Sequence, residues 1–365
     1  MPPVDLRAAV GGIGQRVRDR HLAVHGWIVR LELDDLYDLG PRASRPATST
    51  APYGGRVAPG TTTEEVLDRV DLHGVTALIT GASSGLGVET ARALAAHGAN
   101  LVLAVRDVEK ADQALADAGV DRSSYDLRPL DLANLSSVRA FADGVLADVE
   151  RLDLLVANAG VMASPQGTTA DGFETQFGTN HLGHFVLVNR LVPLLERSAP
   201  ARVVVLSSAG HRIADVDLDD PGYERTPYDP WIAYGRSKTA NVLFAVELDR
   251  RLRNRGVRAT AVHPGEIRTG LGRHLTADSR ALMLERVGPR PMVYKPVEAG
   301  AATSVWAGVV AGADAVGGRY CEDCAVSPVT DDPASTNGVF RYALDAGRAR
   351  DLWALSERMV DEHFD

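Results

Sequence analysis

Lysine, cysteine and aromatic residues are scarce in this chain of 365 residues, and a long apolar run is absent. Only Lys110, Lys238 and Lys295 are lysines, so a lysine within a motif stands out against the many arginines. Without an apolar run of about 18 residues no membrane span is expected, and the N-terminus lacks the basic-then-apolar pattern of a secretory signal. The formal charge of -9 disfavours a nucleic-acid-binding surface. We therefore expect a cytoplasmic protein with neither membrane nor nucleic-acid partners.

The two cysteines, Cys321 and Cys324, form a single Cys-x-x-Cys pair. A structural zinc site takes about four ligands, and no second pair supplies the others. A redox pair would suit a helix start, which the preceding Gly317–Tyr320 does not resemble. The histidines that could suggest a metal centre are His181, His184, His211 and His263. No carboxylate cluster accompanies them, so we expect reduced thiols, histidines used in packing or hydrogen bonding, and no metal.

Residues 5–38 carry apolar side chains at spacings of three and four, which is typical of an amphipathic helix. A membrane-surface helix would usually be more basic, so packing on the main domain or on a second subunit is expected. Residues 41–55 are dense in Pro, Ser, Thr and Gly and predict an irregular linker. The sequence therefore divides into an N-terminal extension, residues 1–60, and a main domain, residues 61–365.

From Val75 onward, short apolar runs alternate with longer segments of helical spacing. The apolar runs are Val75–Thr80, Leu101–Val105, Leu154–Ala157, Val203–Ser207 and Ala259–Val262. The helical segments include Val88–His97, Ser136–Val149, Phe173–Glu196, Ile232–Arg253 and Pro296–Ala311. Continuous apolar strands separated by helices are typical of a parallel sheet covered on both faces. The sequence thus predicts the α/β class, with a doubly wound parallel sheet.

The first predicted strand runs directly into a glycine-rich loop, and a helix follows it. The loop positions are Thr80, Gly81, Ala82, Ser83, Ser84, Gly85, Leu86 and Gly87. Glycine lets the chain turn sharply and lets the backbone approach a pyrophosphate, while the helix N-terminus offers unpaired N–H groups to phosphates. The spacing is T-G-x-x-x-G-x-G rather than the commoner G-x-G-x-x-G. In its strand–loop–helix context the loop predicts a dinucleotide site.

The second predicted strand ends at Val105, and Arg106 and Asp107 follow it. In a nicotinamide-binding sheet this position meets the adenosine ribose. A carboxylate there favours the 2′-hydroxyl of NAD, and a guanidinium favours the 2′-phosphate of NADP. Because Arg106 comes first, we favour NADP as the cofactor, and Asp107 leaves NAD as the alternative. The two side chains could also simply pair with each other and with solvent.

Tyr234 and Lys238 lie in an apolar run, Trp231–Leu252, whose spacing suits a helix. Residues four apart share one helix face, so the phenol and the ammonium can point into one pocket. A cation about 4 Å away is worth roughly 4 kcal/mol at an effective dielectric near 20. That would lower the phenol pKa, normally near 10, by up to about 3 units. The pair can therefore act as a general acid/base, although an ordinary helix surface also carries Tyr and Lys at this spacing.

Several motifs together resemble the short-chain dehydrogenase/reductase family in order and spacing. They are residues 80–87, Asn158–Val161, Tyr234-x-x-x-Lys238 and Pro264–Gly265, within residues 70–330. Residues 103–107, 180–185 and 263–265 resemble the bacterial members of the branch that contains retinol dehydrogenases and related carbonyl reductases. The resemblance implies a Rossmann fold of about seven strands. It also implies an enzyme, an NADP(H)-dependent oxidoreductase.

The resemblance implies four catalytic residues. Tyr234 would give a proton to a carbonyl oxygen or take one from an alcohol, while Lys238 would lower the Tyr234 pKa and hold the nicotinamide ribose. Ser208, at the end of the fifth strand, would hydrogen-bond the substrate oxygen, with Ser207 as the fallback. Asn180 would hold a water in the proton relay from Lys238 to solvent. Donors placed where negative charge develops stabilise the transition state of such a transfer.

The resemblance also implies cofactor contacts beyond the glycine loop, Arg106, Tyr234 and Lys238. Asp131 and Leu132, after the third strand, match the adenine-contacting pair. The residues that close the fourth strand over the adenosine side are Asn158, Ala159 and Gly160. The residues that leave the sixth strand beside the nicotinamide are Pro264, Gly265, Ile267 and Thr269, of which Thr269 could bond the carboxamide. Open α/β sheets bind ligands at such strand ends.

Two irregular segments border the predicted site, residues 209–230 and 270–294. The second carries several leucines and a methionine, and it is either a mobile lid over the nicotinamide or an ordinary surface helix. Its apolar content suggests that the small-molecule substrate is a hydrophobic alcohol, ketone or aldehyde.

Two other functions stay open on the sequence. One is a cofactor-dependent epimerase or cyclase in a biosynthetic pathway. The other is a non-catalytic dinucleotide-binding regulatory protein, which the presence of both Tyr234 and Lys238 disfavours. The resemblance implies a homo-oligomer joined through the helices at Phe173–Glu196 and Ile232–Arg253, although their apolar residues could equally be satisfied inside one subunit.

Overall fold

The computed structural model describes residues 60–287 and 294–365. The predicted N-terminal extension, with its amphipathic helix and linker, lies outside the described residues except for Gly60. The predicted lid, residues 270–294, is described apart from residues 288–293.

Within the described residues, eight strands form one sheet. They are β1 Thr76–Thr80, β2 Asn100–Val105, β3 Tyr125–Pro129, β4 Leu154–Ala157, β5 Ala201–Leu206, β6 Val257–His263, β7 Tyr320–Glu322 and β8 Ala325–Val326. Their spatial order is β3-β2-β1-β4-β5-β6-β7-β8. Strands β1 to β7 are parallel, and β8 returns antiparallel to β7. Because β1 lies between β2 and β4, the strand order reverses there and opens a crevice at the carboxyl ends of these strands.

Helices flank this sheet. Their bounds are α1 Thr63–Leu67, α2 Gly85–Ala96, α3 Val108–Asp117, α4 Leu135–Asp148, α5 Thr175–Phe177, α6 Gly183–Arg197, α7 Pro230–Leu252, α8 Ala277–Val287, α9 Val297–Val305, α10 Ala313–Val316 and α11 Ala346–Val360. Outside the sheet, β9 Val329–Thr330 and β10 Val339–Phe340 pair in parallel. The predicted α/β fold with a doubly wound, mostly parallel sheet is confirmed.

Both faces of the sheet are buried, as the continuous apolar strands predict. Leu78 of β1 belongs to the core cluster that includes Leu187 of α6 and Val242 of α7. Its neighbour Ile79 belongs to the opposite cluster, together with Leu94 of α2. Successive side chains of a strand point to opposite faces, so β1 contributes to both cores.

Two predicted helices are interrupted by π-helical turns. The segment predicted as one helix at Phe173–Glu196 consists of α5, a π-helical turn at Gly178–Leu182, and α6. The segment predicted at Pro296–Ala311 consists of α9 and a π-helical turn at Trp306–Val310. Such turns leave the apolar periodicity almost unchanged, so the sequence pattern does not reveal them, although they are frequent at functional sites.

The C-terminal helix α11 packs across α6 and α7. The Trp353 ring meets Phe185 of α6 at 5.0 Å and Phe244 of α7 at 5.9 Å between centroids. Ser356 hydrogen-bonds Nε2 of His181 at 2.8 Å in the π-helical turn before α6. The chain therefore covers apolar faces of these two long helices with its own C-terminal helix.

None of the helices in residues 60–287 and 294–365 combines the length and the apolar character needed to cross a membrane.

Candidate active site

The loop between β1 and α2 forms a narrow backbone cradle. Gly81 and Gly85 have φ angles of 76° and 55°, a region that favours glycine. A Cβ on Gly81 would stand 2.9 Å from the Cα of Ala159, and one on Gly87 would stand 2.3 Å from the carbonyl oxygen of Gly81. The Ser84 side chain makes no capping hydrogen bond, so it does not occupy the first N–H groups of α2. Such a cradle at a helix N-terminus fits the phosphates of a dinucleotide.

The substitution Gly87→Ala is expected to raise the Kd for NADPH about 5- to 150-fold, because overpacking of this kind costs about 1–3 kcal/mol and the loop must leave its present conformation to relieve it. Its new Cβ would collide with the Gly81 carbonyl oxygen inside the cradle. Gly144→Ala in α4 is the matched control, since its Cβ would meet only Nη1 of Arg128, at 3.9 Å. Fluorescence titration with NADPH measures both variants, and equal Kd changes would contradict the cradle.

The end of β4 is tied to the same cradle. Asn158 donates Nδ2 to the Thr80 carbonyl oxygen at 2.8 Å. The backbone N–H groups of Asn158 and Ala159 donate to the Thr80 hydroxyl at 2.9 and 3.0 Å. A Cβ on Gly160 would stand 3.6 Å from Nζ of Lys238. The predicted adenosine segment thus joins the glycine loop and leads on toward the predicted catalytic lysine.

The residues predicted to distinguish NADP from NAD at the adenosine ribose lie at the end of β2. The Arg106 side chain is exposed, and no carboxylate pairs with it in the part of the chain that the structure describes. Asp107 instead caps α3, its Oδ1 accepting the backbone N–H of Lys110 at 3.0 Å. After β3, Asp131 accepts the backbone N–H two residues on at 3.0 Å, and Leu132 is buried. Arg106 is therefore the charged side chain at this strand end that no described carboxylate holds.

Tyr234, Lys238 and Ser208 converge at the carboxyl end of β5. Tyr234 and Lys238 are buried on α7. A Cβ on Gly210 would stand 2.7 Å from Cε1 of Tyr234 and 3.4 Å from Oγ of Ser208, so the phenol ring and the Ser208 hydroxyl are neighbours. Ser208 Oγ accepts the Gly210 N–H at 3.0 Å. Nζ of Lys238 lies 5.8 Å from the centroid of the Tyr234 ring and donates to the Leu206 carbonyl oxygen at 3.1 Å. The structure thus brings together a phenol, a hydroxyl and an ammonium.

The predicted lowering of the Tyr234 pKa by Lys238 is wrong for the structure described. Burial raises the pKa of Tyr234 to about 12, and the neighbouring Ser208 side chain acts in the opposite direction without cancelling it. Burial also lowers the pKa of Lys238 to about 8. Loss of solvation disfavours the charged form of both groups, and the ammonium is bonded to a backbone carbonyl. At neutral pH the phenol is therefore protonated, which is the form that donates a proton.

Asn180 lies fully buried in the first π-helical turn. Its Oδ1 accepts the Val161 N–H at 2.8 Å, and its Nδ2 donates to the Val161 carbonyl oxygen and the Ser237 hydroxyl, each at 2.9 Å. These bonds join the segment after β4 to α7, and the water-holding role stays a prediction. Ser207 donates to a backbone carbonyl oxygen of α7 at 2.8 Å. That bond fastens β5 to α7 and favours Ser208 over Ser207 as the catalytic serine.

Pro264 and Gly265 leave β6 next to Lys295. Gly265 has a φ angle of 100°, and a Cβ there would stand 3.0–3.1 Å from the Lys295 side chain. The Lys295 N–H donates to the Glu266 carbonyl oxygen at 2.8 Å, and its ammonium pairs with Asp323. Lys295, the residue after the predicted lid, is thereby bonded to the segment that follows β6.

The next residues return to the glycine loop. The Leu86 and Ile267 side chains meet at Gly300 of α9, where a Cβ would stand 2.8 and 2.6 Å from them. Cγ2 of Thr269 would stand 2.9 Å from a Cβ on Gly85. Ile267 therefore packs beneath the loop, and Thr269 lies beside it at the edge where the predicted nicotinamide contact is needed.

An apolar wall surrounds Tyr234. Its buried members besides Tyr234 are Ala163 and Trp231, and the Trp231 ring meets the Tyr234 ring edge-on at 6.4 Å. The partly buried residues packed against them are Met162, Ile213, Leu275, Leu282 and Met283. Three of these come from the predicted lid, so the lid contributes apolar surface next to the Tyr234 phenol.

The described part of the lid is held to the start of α7. Trp231 donates Nε1 to the Ser279 carbonyl oxygen at 2.6 Å. Arg286 of α8 pairs with Asp229, the residue that caps α7, through contacts of 2.6 and 2.9 Å. The lid is thus a helix docked over the site, and its movement stays a prediction.

The histidines and cysteines considered for a metal site are buried or hydrogen-bonded within the fold. His184 bonds the Thr80 hydroxyl through Nε2 at 2.9 Å and the Asn180 carbonyl oxygen through Nδ1 at 3.0 Å. In the described ranges no group of three or more His, Cys, Asp or Glu side chains is arranged to hold a metal ion. Cys321 and Cys324 are free and buried, and burial raises the pKa of these thiols to about 12 and about 11.

Sequence motifs missed part of this site. Trp231 lies three residues before Tyr234, and that spacing on one helix face was a usable signal. Met162 and Ala163 directly follow the segment that closes β4, which was also a usable signal. No local pattern joins Arg286 to Asp229, because they are 57 positions apart.

Known proteins share this sequence and fold. A family model described as short chain dehydrogenase matches residues 75–280. Human retinol dehydrogenase 13 is 40% identical over 295 residues, which covers 80% of this chain and 86% of that protein. A crystal structure of a protein from Mycobacterium Paratuberculosis matches with a TM-score of 0.64 and 38% identity, over 84% of this chain and 99% of that one. A short chain dehydrogenase from Burkholderia cenocepacia in complex with NADP matches with a TM-score of 0.54 and 25% identity, over 69% and 96% of the two chains.

This chain belongs to the short-chain dehydrogenase/reductase family. It resembles the retinol dehydrogenase branch of that family, as its sequence motifs predict. It is an NAD(P)-dependent dehydrogenase enzyme.

Proposed function

We propose that the protein is an NADP(H)-dependent oxidoreductase that transfers hydride between nicotinamide and a hydrophobic alcohol or carbonyl compound. The observation that carries the proposal is the placement of the Ser208 hydroxyl beside the Tyr234 phenol, next to an apolar wall. This pair lies at the same edge of the sheet as the glycine cradle. Membership of the family supports hydride transfer, and the wall supports the kind of substrate.

Each catalytic group has one task in this proposal. Bound nicotinamide supplies or accepts the hydride, and the protein handles the proton and the developing charge. Tyr234 donates its proton to the carbonyl oxygen in the direction of reduction, and Ser208 donates a second hydrogen bond where negative charge develops. Lys238 holds the ribose hydroxyls, and Asn180 orders a water in the relay of protons to solvent.

The apolar wall favours a substrate with a sizeable hydrocarbon portion. The phenol is surrounded by the carbon surface of Trp231, Leu275, Leu282 and Met283. A polar substrate would lose its hydration against this surface without gaining compensating hydrogen bonds. The name of retinol dehydrogenase 13 indicates an apolar alcohol as the substrate of that relative. We include residues 270–294 in the proposal as the lid that closes over this substrate.

NADP is favoured over NAD by the end of β2. Arg106 is exposed there, whereas Asp107 is engaged in capping α3. A guanidinium suits a 2′-phosphate through paired hydrogen bonds. The structural neighbour from Burkholderia cenocepacia holds NADP, which supports the same choice here.

The substitution Arg106→Ala is expected to raise the Kd for NADPH about 10- to 100-fold, because hydrogen bonds to charged groups contribute about 1.5–3 kcal/mol. The Kd for NADH should change much less, since NADH lacks the 2′-phosphate. Arg350→Ala, at an exposed position of α11, is the control for loss of a positive charge. Equal losses for NADPH and NADH in Arg106→Ala would contradict the phosphate role.

A panel of apolar aldehydes, ketones and secondary alcohols, followed at the NADPH absorbance band, tests the proposed reaction. We expect consumption of NADPH with at least one apolar carbonyl compound, and a lower rate with NADH. Conversion of a substrate without net consumption of NADPH would favour the epimerase or cyclase. Tight binding of NADPH without conversion of any substrate would favour the regulatory protein.

A homo-oligomer in the cytoplasm completes the proposal. The free, buried cysteines suit a reducing compartment. The predicted contact between copies through α6 and α7 would require displacement of α11, which covers these helices within one chain. We therefore propose that copies associate through a different surface.

A further inference from the structure

His211 lies three residues after Ser208, in the short turn that follows β5. The turn is a 3-10 helix at Ala209–Arg212, and His211 is fully buried in it. Nδ1 of His211 bonds the Ser208 carbonyl oxygen at 2.7 Å, and the Phe340 N–H donates to Nε2 at 3.2 Å. One imidazole thus connects the backbone of the proposed catalytic serine to β10, which lies far along the chain.

The two partners determine the tautomer of this imidazole. The Ser208 carbonyl oxygen can only accept a hydrogen bond, so Nδ1 carries the proton. The Phe340 N–H can only donate, so Nε2 carries a lone pair. Burial lowers the pKa of His211 to about 4, so the ring is neutral at physiological pH. His211 is therefore a neutral bridge with one donor end and one acceptor end.

Other bonds hold the turn against the C-terminal segment. Arg212 donates to the Gly338 carbonyl oxygen at 2.7 and 3.0 Å and to the Ser335 carbonyl oxygen at 2.9 Å. The Gly338 N–H in turn donates to the Glu322 carboxylate at 2.6 Å. The Tyr342 hydroxyl donates to the His211 carbonyl oxygen. Residues 335–342 are thereby fixed between β7 and the serine turn.

The bond from His211 acts on the backbone of the residue whose side chain lies beside the Tyr234 phenol. Ser208 has φ and ψ angles of -164° and 158°, and its Oγ accepts the Gly210 N–H at 3.0 Å next to the Tyr234 ring. A rotation of the Ser208 peptide would carry Oγ away from the phenol. A misplacement of about 1 Å at a reacting centre can lower the rate about 100-fold.

We propose that His211 is a positioning residue that holds Ser208 in register with Tyr234 through its Nδ1–H, with the C-terminal segment 335–342 as its anchor. The inference rests on the proposed function, in which Ser208 bonds the substrate oxygen. It assigns to β10, which begins 74 residues after Gly265 at the end of the last motif, a role in turnover that needs no contact with substrate or cofactor.

Two amide substitutions separate the two ends of the bridge. His211→Asn places an amide N–H near the position of Nδ1 and keeps the bond to Ser208. His211→Gln places an amide oxygen near the position of Nε2 and, of the two side-chain bonds, keeps only the one from Phe340. In both variants the backbone N–H of residue 211 still donates to the Ser208 carbonyl oxygen, as it does at 3.0 Å in His211. We expect kcat to fall about 10-fold or more in His211→Gln and to stay within about 2-fold of wild type in His211→Asn, with the Kd for NADPH unchanged in both.

A double-mutant cycle with Ser208→Ala distinguishes an effect of His211 on the position of Ser208 from an effect on the stability of the fold. If His211 acts through Ser208, the kcat loss caused by His211→Gln should nearly disappear in the Ser208→Ala background. Arg341→Gln, which removes an exposed ion pair with Asp331 in the same segment, should keep the wild-type kcat. Thermal melts identify which variants are folded, and His211→Asn alone still tests the inference if His211→Gln is unfolded.

The outcomes separate this inference from the function on which it rests. An equal loss of kcat from His211→Gln with and without Ser208, or a folded His211→Asn that loses as much kcat as His211→Gln, would overturn the positioning role. An impaired Ser208→Ala beside an unimpaired His211→Gln would overturn the positioning role and leave the proposed function intact. An unimpaired Ser208→Ala would overturn both.

Discussion

Replacing Tyr234 by phenylalanine is expected to lower kcat/KM for carbonyl reduction by about 10²–10⁴-fold, the usual contribution of a positioned general acid. The substitution removes the hydroxyl of the ring that lies beside Ser208 and keeps the ring that packs against Trp231. No acid of similar reach replaces it, because Lys238 is bonded to the Leu206 carbonyl oxygen. Steady-state kinetics with NADPH and an accepted carbonyl substrate measure the change.

The matched control is Tyr125→Phe. Tyr125 lies on β3, away from the site, and its hydroxyl donates a hydrogen bond to Asp112 of α3. This variant should keep the wild-type kcat and KM. The Kd for NADPH should change much less than kcat/KM in Tyr234→Phe, since the glycine cradle and Arg106 are untouched. Turnover in Tyr234→Phe equal to that of Tyr125→Phe would contradict the assignment of the proton donor.

Replacing Lys238 by methionine is expected to abolish measurable turnover and at the same time to stabilise the fold. Lys238 is fully buried, and burial lowers its pKa from 10.5 to about 8. That difference corresponds to a cost of about 3 kcal/mol for burying the ammonium at neutral pH. Methionine fills a similar volume without the charge, and the Leu206 carbonyl oxygen keeps the Asn241 side chain as a donor at 2.9 Å.

The sign of the pH dependence follows from the lowered pKa. Below about pH 8 the lysine is protonated in both the folded and the unfolded chain, and the folded state bears the full cost of burial. Between about pH 8 and 10.5 the unfolded chain binds the proton more tightly, so the stability of the wild type rises with pH. The advantage of Lys238→Met in free energy of unfolding should therefore be largest below about pH 8 and narrow above it.

Denaturant melts between pH 7 and pH 10 measure this advantage, with Lys110→Met at an exposed position of α3 as the control. Lys110→Met should change neither stability nor turnover noticeably. A destabilised Lys238→Met, or one that keeps its activity, would contradict the account of this lysine.

The sheet was predictable because its strands are buried on both faces. Leu101–Val105 and Leu154–Ala157 are continuous apolar runs, and each observed strand coincides with its run to within a residue. By contrast, β7 has three residues and β9 and β10 have two each, which is too short for a periodic pattern. The short strands β7, β9 and β10 were therefore not predicted from the sequence.

The site was predictable where its residues are neighbours in sequence. Tyr234 and Lys238 share a helix face, and the glycine loop is contiguous, so both were found from spacing. The bond between His211 and Phe340 spans 129 positions and leaves no local signal. The direction of the Tyr234 pKa shift was missed for a related reason, since burial depends on what α8 and the segment after β4 bring to the ring.

Reduction of an accepted substrate with NADPH that carries deuterium in both hydrogen positions at C4 of the nicotinamide tests hydride transfer at this site most directly. Mass spectrometry of the product should find one deuterium on the former carbonyl carbon. The rate of labelled product formation should fall about 10²–10⁴-fold in Tyr234→Phe. An unlabelled product, or labelled product formed at the same rate by Tyr234→Phe, would contradict hydride transfer assisted by Tyr234.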